Sequence, residues 1–209
     1  MLIHHKVEQN TDEWFNLRCG VLTSSSLGVV MANNGKAFGD PAKRLAVKLA
    51  VEQLTGRTCQ SSYKNDHMDR GHEQEPIARM LYQDEFFCDV EEGGFYQNGY
   101  MGGSPDGLVY DNGLIEIKSV IANVQYANIK HGGIKDSGYR WQCYGNLKLS
   151  EREWLDFVTY SSDFPQGNQL YIHRIYPDKE IYDKINVRTN QFFELVDEVK
   201  ENIIKHGEK

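Results

Sequence analysis

Ser104-Pro105-Asp106-Gly107-Leu108-Val109-Tyr110-Asp111-Asn112-Gly113-Leu114-Ile115-Glu116-Ile117-Lys118 is the stretch whose reading decides this chain. Asn112-Gly113 is a hairpin signal between two apolar runs. It folds a strand ending near Tyr110 back against residues 114–119. Strand side chains alternate faces, so Ile115 and Ile117 enter a core while Glu116 and Lys118 point together the other way. The turn returns Asp106 to about the level of Glu116 on the neighbouring strand. Two carboxylates and an ammonium then converge. Phosphodiester hydrolysis needs such a set: carboxylates hold a hard cation such as Mg²⁺, and the cation polarises a phosphoryl oxygen and acidifies a bound water. The lysine orients or deprotonates that water, or stabilises transition-state charge. The peptide carbonyl of Ile117 is a further ligand by position. Taken alone, Glu-x-Lys also fits an exposed ion pair, and Pro105-Asp106-Gly107 also fits a plain turn. Their combination at this spacing points to a metal-assisted nuclease.

Outward from this stretch, turn signals at Gly93-Gly94, Asn98-Gly99 and Gly102-Gly103 break residues 86–119 into short strands. Upstream, Thr11 caps a short helix carrying Trp14 and Phe15, which ends near Arg18–Gly20. Thr23-Ser24-Ser25-Ser26 reads as the cap of another, and Asn33-Asn34-Gly35-Lys36 as a loop. Asp40-Pro41 opens a helix with Pro41 at its first position. Leu45, Ala46, Leu49, Ala50 and Leu54 line its apolar side, and Gly56 ends it. Residues 57–70 read as loop, with a further helix from Glu73–Pro76 through Ile77, Met80 and Leu81. Downstream, residues 120–131 and 139–149 read as helices, 154–160 and 169–176 as strands, and 178–204 as a long or broken helix. The order predicts an α/β (α+β) fold with a central mixed β-sheet flanked by helices.

With 209 residues, 40% hydrophobic and 25% charged, the chain fits a single globular domain over residues 1–209. No apolar run reaches the roughly 18 residues that span a bilayer. Met1-Leu2-Ile3-His4-His5-Lys6-Val7-Glu8 lacks the apolar core of a signal peptide, so a cytoplasmic protein is expected. Cys19, Cys59, Cys88 and Cys143 are too scattered for a CxxC metal site and read as free thiols. The histidines show no zinc-ligand spacing with them. The net charge of −7 argues against broad electrostatic binding of nucleic acid. It leaves room for a local basic groove beside acidic ligands. The charges of the C-terminal helix read as a solvated face.

The opening stretch resembles the PD-(D/E)xK nuclease signature. More narrowly, it is similar to the lambda exonuclease branch, the YqaJ viral recombinase family. Three further segments agree in order and spacing: Trp14 to Ser25, Gly71-His72-Glu73-Gln74-Glu75-Pro76-Ile77-Ala78-Arg79, and Trp141-Gln142-Cys143-Tyr144. The resemblance covers residues 14 to about 160. It implies a restriction-endonuclease-like core and a phage-type enzyme that resects double-stranded DNA ends 5′→3′. Mg²⁺, replaceable by Mn²⁺, is the implied cofactor. The implied assembly is a homo-oligomer, a trimer, working with a single-strand annealing protein, with no membrane involved. An endonuclease of the same fold and a catalytically silent DNA-binding module are the alternatives.

By the same resemblance, Asp106 and Glu116 bind metal with the Ile117 carbonyl, and Lys118 is catalytic. Glu75, rather than Glu73, completes the site, directly or indirectly, and Gln142 joins it. Without the resemblance, Glu75 fits a charge complementing a helix N-terminus, and Gln142 an ordinary polar position. Arg18, Ser25 and Ser104 fall where the family receives a 5′-phosphate. An arginine fork and helix-start hydroxyls suit that anion. Otherwise Arg18 pairs with a nearby acid and Ser25 only caps a helix. The lambda enzyme carries a further phosphate-pocket Arg where this chain has Val124. Lys130 and Lys135 are the nearby cations.

Overall fold

The computed structural model describes residues 1–33, 36–59 and 66–207. The chain opens with strand β1 (Leu2–His5), where the sequence reading places none. Its pairing with a later strand, not its short mixed pattern, makes it a strand. Helix α1 (Asp12–Leu17) follows, and the Thr11 side chain accepts from the Trp14 amide as the sequence predicts. Strand β2 (Leu22–Thr23) leads through a 3₁₀ turn (Ser24–Ser26) into α2 (Leu27–Met31). Of the expected loop at 33–36, residues 34–35 lie outside the described residues.

Helix α3 (Asp40–Thr55) starts after Gly39 and ends on left-handed Gly56. Its buried side departs from the expected stripe: Leu54 is exposed and Leu45 half-buried, whereas Ala42 is buried and Glu52 is only 3% exposed. The Glu52 carboxylate is held by the amides of Gly20 and Cys59, each at 2.9 Å. Those bonds offset the burial of its charge.

Helix α4 (Asp66–Phe86) begins earlier than the sequence suggests and has Pro76 inside it. Of the expected loop at 57–70, residues 60–65 lie outside the described residues, and from Asp66 the chain is helical. A proline looks like a helix start because it lacks an N–H and clashes with the preceding turn. Here packing of Ala78 and Tyr82 on the sheet holds the helix through it.

Strands β3 (Val90–Glu92), β4 (Phe95–Asn98), β5 (Met101–Gly103), β6 (Gly107–Val109) and β7 (Gly113–Ser119) form the predicted run of short strands. After α5 (Ala122–His131) and α6 (Ser137–Ser150) come β8 (Trp154–Tyr160), β9 (Leu170–Ile175) and α7 (Lys179–Gly207). The strands make two mixed sheets rather than one, ordered β1-β4-β5-β2 and β3-β6-β7-β8-β9. Pairing is parallel between β7 and β8 and between β2 and β5, and antiparallel elsewhere.

The β6–β7 hairpin exists, but its turn is not Asn112-Gly113. Val109 pairs with Gly113, so Tyr110-Asp111-Asn112 make the loop. The left-handed residue is Tyr110, at φ 50°. Gly113 already lies in β7, where a Cβ would sit 2.1 Å from the Trp154 ring. The glycine is there for space, not for turn geometry.

Strand β7 is sandwiched. Ile115 and Ile117 pack with Ala78 and Tyr82 of α4, while Leu114 packs with Cys143 and Leu147 of α6. A third cluster joins α2, α3 and α7. Buried Asp156 accepts from Tyr82 at 2.6 Å and from Arg174 twice at 2.7 Å, which ties α4 to β8 and β9. Cys19, Cys59, Cys88 and Cys143 are free thiols. Among the described residues no helix is long and apolar enough to cross a membrane.

One α7 charge departs from the expected solvated face. Arg188, 3% exposed, donates to the carbonyls of Val30 (2.9 Å), Lys36 (3.0 Å) and Ala32 (3.4 Å) and stacks on Phe38. Burial pulls its pKa down. Arg188→Met removes every one of these donors. It is expected to lower stability by about 3 kcal/mol, from the cost of stranding buried acceptors bonded to a charged donor. The urea midpoint at unchanged slope measures this.

Candidate active site

Strand β7 presents Glu116 and Lys118 to the α6 side, as alternation requires. Lys118 Nζ lies 2.6 Å from Glu116 Oε1. Glu116 is 0% exposed, so the exposed-pair reading of Glu-x-Lys does not hold. Its remaining donors come from α6. Gln142 Nε2 meets Oε1 at 2.5 Å, and Asn146 Nδ2 meets Oε2 at 2.8 Å. Gln142 and Asn146 are one helical turn apart and share a face. Asn146 is missing from the sequence reading. Its i+4 spacing from Gln142 is the signal that could have found it.

Asp106 precedes the first residue of β6, where Gly107 pairs with Ile115. Beyond that pair, the Asp106 side chain takes the place of a backbone partner. Its Oδ2 accepts from the Ile117 amide at 2.6 Å. The N–H and C=O of a strand residue point to the same side, so the Ile117 carbonyl faces the edge vacated by β6. Glu75 of α4 reaches the same place and lines a cleft with Asp106, Ile117 and Lys118. Arg79 joins Glu75 at 3.2 Å and donates to the Asp106 carbonyl at 2.7 Å. Glu73 is exposed to solvent instead.

The electrostatics are those of a crowded anionic site. Burial pushes the Glu116 carboxyl up to about 8, and the Asp106 charge adds to the push against Lys118 and Asn146. Burial and Asp106 likewise raise Glu75, against Arg79 and Lys118. Burial alone would lower Lys118, but Glu116 and Asp106 outweigh it and hold the ammonium above its ordinary pKa. Besides burial, the Asp106 charge raises both Glu75 and Glu116 against Lys118 and Arg79. Asp106, Glu116 and the Ile117 carbonyl are oxygen donors of the kind that suits a hard divalent cation. Among the described residues, no three His, Cys, Asp or Glu side chains already surround one point.

On the other side of Asp106 is a cavity of about 150 Å³, lined by Arg18, Ser25, Ser104, Gln142 and Asn146 among others. The three residues the sequence groups around a phosphate are thus brought together, next to the carboxylates. Arg18 Nη1 and Trp14 Nε1 both donate to Ser104 Oγ, at 3.2 and 2.9 Å. The guanidinium stacks on Trp14, 3.9 Å from the ring centroid. Burial lowers the Arg18 pKa to about 10. No acid among the described residues forms an ion pair with it, which removes the pairing alternative. Thr23 makes no side-chain cap bond. Its hydroxyl lies 3.0 Å from Ser25 Oγ.

Val124 lines the cleft on the Lys118 side, with Arg70 and Tyr139. Lys130 and Lys135 are exposed and do not line it. Besides Lys118, the basic side chain that does is Arg70, at a position expected to be loop.

Compared with models of protein families, residues 13–153 match the YqaJ-like viral recombinase domain. No curated protein matches the chain. Among solved structures, it is similar to an alkaline exonuclease, LHK-Exo, from Laribacter hongkongensis. Identity is 32%, the TM-score is 0.83, and the match covers 95% of this chain and 99% of that one. The same enzyme in complex with dAMP matches with a TM-score of 0.82, at 32% identity and the same coverage. A phage related exonuclease from Haemophilus somnus 129PT shares the fold, with a TM-score of 0.66 at 19% identity over 88% of this chain and 96% of that one.

Asn146→Ala takes one donor from a carboxylate with no solvent to replace it. The expected loss is about 2 kcal/mol, the scale of a hydrogen bond to a charged group. Urea unfolding in the absence of divalent cations measures it.

Proposed function

The chain belongs to the YqaJ-like viral recombinase family, and on that premise we propose that it is a DNA exonuclease, dependent on Mg²⁺, that resects double-stranded ends 5′→3′. The likeness to an alkaline exonuclease supports the activity. The observation that carries the finer reading is the shared wall between two sites. The cavity of Arg18, Ser25 and Ser104 also contains Asp106, Gln142 and Asn146. A terminal phosphate held by Arg18 leaves the adjoining phosphodiester beside the carboxylates. An enzyme that cuts internally has no use for a buried phosphate socket there.

In this reading Asp106, Glu116 and the Ile117 carbonyl would hold the ion, with Glu75 directly or indirectly beside them. When bound, Mg²⁺, or Mn²⁺ in its place, supplies Lewis-acid polarisation of the phosphoryl oxygen and a more acidic water. The chain's own residues do the rest. Gln142 and Asn146 fix the rotamer of Glu116. Lys118, charged in this geometry, donates to the phosphate and stabilises charge developing there. Arg18 forks onto the terminal phosphate, Ser25 and Ser104 complete that contact, and Trp14 keeps the guanidinium in place. A homo-oligomer, trimeric by family resemblance, and a single-strand annealing partner belong to the same proposal.

Linear duplex is expected to be digested in Mg²⁺ and spared in EDTA, with closed circular duplex untouched in both. Lys118→Ala should slow digestion at least about a hundredfold, the scale of losing a preorganised charge donor. Release of end label measures this, and cutting of the closed circle would turn the reading to an endonuclease. Arg18→Ala tests the end socket. Wild-type protein should prefer 5′-phosphate to 5′-hydroxyl ends, and the variant should lose most of that preference while still cutting.

A further inference from the structure

Among the described residues Asp106 lines three openings, and two of them differ most in chemistry. The one with Arg18 is small and mostly polar. The one beside Lys118 is about 490 Å³, and besides its carboxylates it is lined by an apolar wall of Ile121, Val124 and Tyr139. A cation and a phosphate need oxygens and charge; neither explains that wall.

We propose that this larger cleft is a nucleobase subsite, in which one base of the strand being cut lies on the ring of Tyr139. The ring is half-buried and backed by Phe157, with centroids 6.0 Å apart, so it is a fixed surface. Lys118 Nζ lies 5.6 Å from its centroid. A base on this platform therefore has its sugar and phosphate next to the ammonium. Tyr139 also sits one helical turn before Gln142, so α6 sets platform and carboxylate clamp on one face. Arg70 adds a second basic side chain to the lining. Stacking on an aromatic ring beside cations binds every base, because each has a π-face. That suits an enzyme that must pass through any sequence. The wall makes no hydrogen-bond readout, so no base preference is expected.

This inference rests on the exonuclease reading for the identity of its ligand, but binding tests it separately. Duplexes with an abasic residue at the first or the second nucleotide of the cut strand are compared with intact duplex. End binding is measured in EDTA and cleavage in Mg²⁺. At one of the two positions, loss of the base should weaken wild-type binding about tenfold, the effect of one base–aromatic stack. Tyr139→Leu should bind intact ends about tenfold more weakly and no longer distinguish the abasic residue, and Tyr139→Phe should restore the distinction. Equal wild-type binding at both positions overturns the subsite, whether or not Tyr139→Leu folds. So does a Tyr139→Leu protein that discriminates as wild type does, and so does failure to bind any end. Discrimination in binding without cleavage in any divalent cation keeps the subsite and sinks the nuclease reading. Cleavage without discrimination does the reverse.

Discussion

A carboxylate with no exposed surface, set in the middle of a sheet, is tolerable only if its oxygens are met by donors. Glu116 is that group, and much of the surrounding structure follows from satisfying it. One donor, Lys118, is supplied by alternation on its own strand. The others must come from an element laid across that face of the sheet, and among the described residues α6 supplies them. Gln142 and Asn146 therefore fix both the position and the rotation of α6. The same rotation buries Cys143 and Leu147 against the sheet and turns Tyr139 towards the cleft. It leaves Glu116 poised, since its donors hold both oxygens but its burial still favours the protonated form.

The close approach of α6 depends on missing side chains. A Cβ on Gly103 would sit 2.4 Å from Asn146 Oδ1 and 2.7 Å from Ser24 Oγ. A Cβ on Gly145 would meet Leu27 at 2.5 Å and Ser24 Oγ at 2.8 Å. Neither glycine has a positive φ, so backbone freedom is not the reason. Space is. These two absences let the 3₁₀ turn at Ser24 lie against α6. That contact brings the arginine cavity and the carboxylates to share a wall. A modest widening here would separate the two sites while leaving every element intact.

How much of this was legible depended on whether the signal was local. The Glu116–Lys118 face, the Ile115–Ile117 core face and the return of Asp106 all follow from period-two alternation and a hairpin, and all are found. The turn departs from expectation because Asn112-Gly113 has ideal turn composition, whereas the demand on Gly113 comes from Trp154, distant in sequence. Proline at 76 imitated a helix start because local rules cannot weigh the sheet packing that carries α4 through it. β1 could not be seen at all, since its partner strand makes it. Asn146 and Arg188 share one reason for being missed. Each is a polar residue inside a helix whose role is set by groups far away in the chain. Grouping Arg18, Ser25 and Ser104 needed the family resemblance, because nothing local connects residues 18 and 104.

The cations packed against the sheets and helices differ in how their charge is met. Arg79 meets Glu75, Arg174 meets Asp156 and Lys118 meets Glu116. Arg188 has carbonyls. Each of these has a carboxylate or carbonyl partner in the chain. Arg18 is buried enough to lower its pKa, yet its contacts are a hydroxyl and aromatic rings. Rings and a serine orient a guanidinium without neutralising it. Desolvating a charge in this way is unfavourable on its own, and an arriving anion would reverse much of that cost. The overall charge of −7 does not oppose this. In the proposed reading it disfavours phosphates over the rest of the surface and leaves the Arg18 cavity beside Asp106 as the place for one.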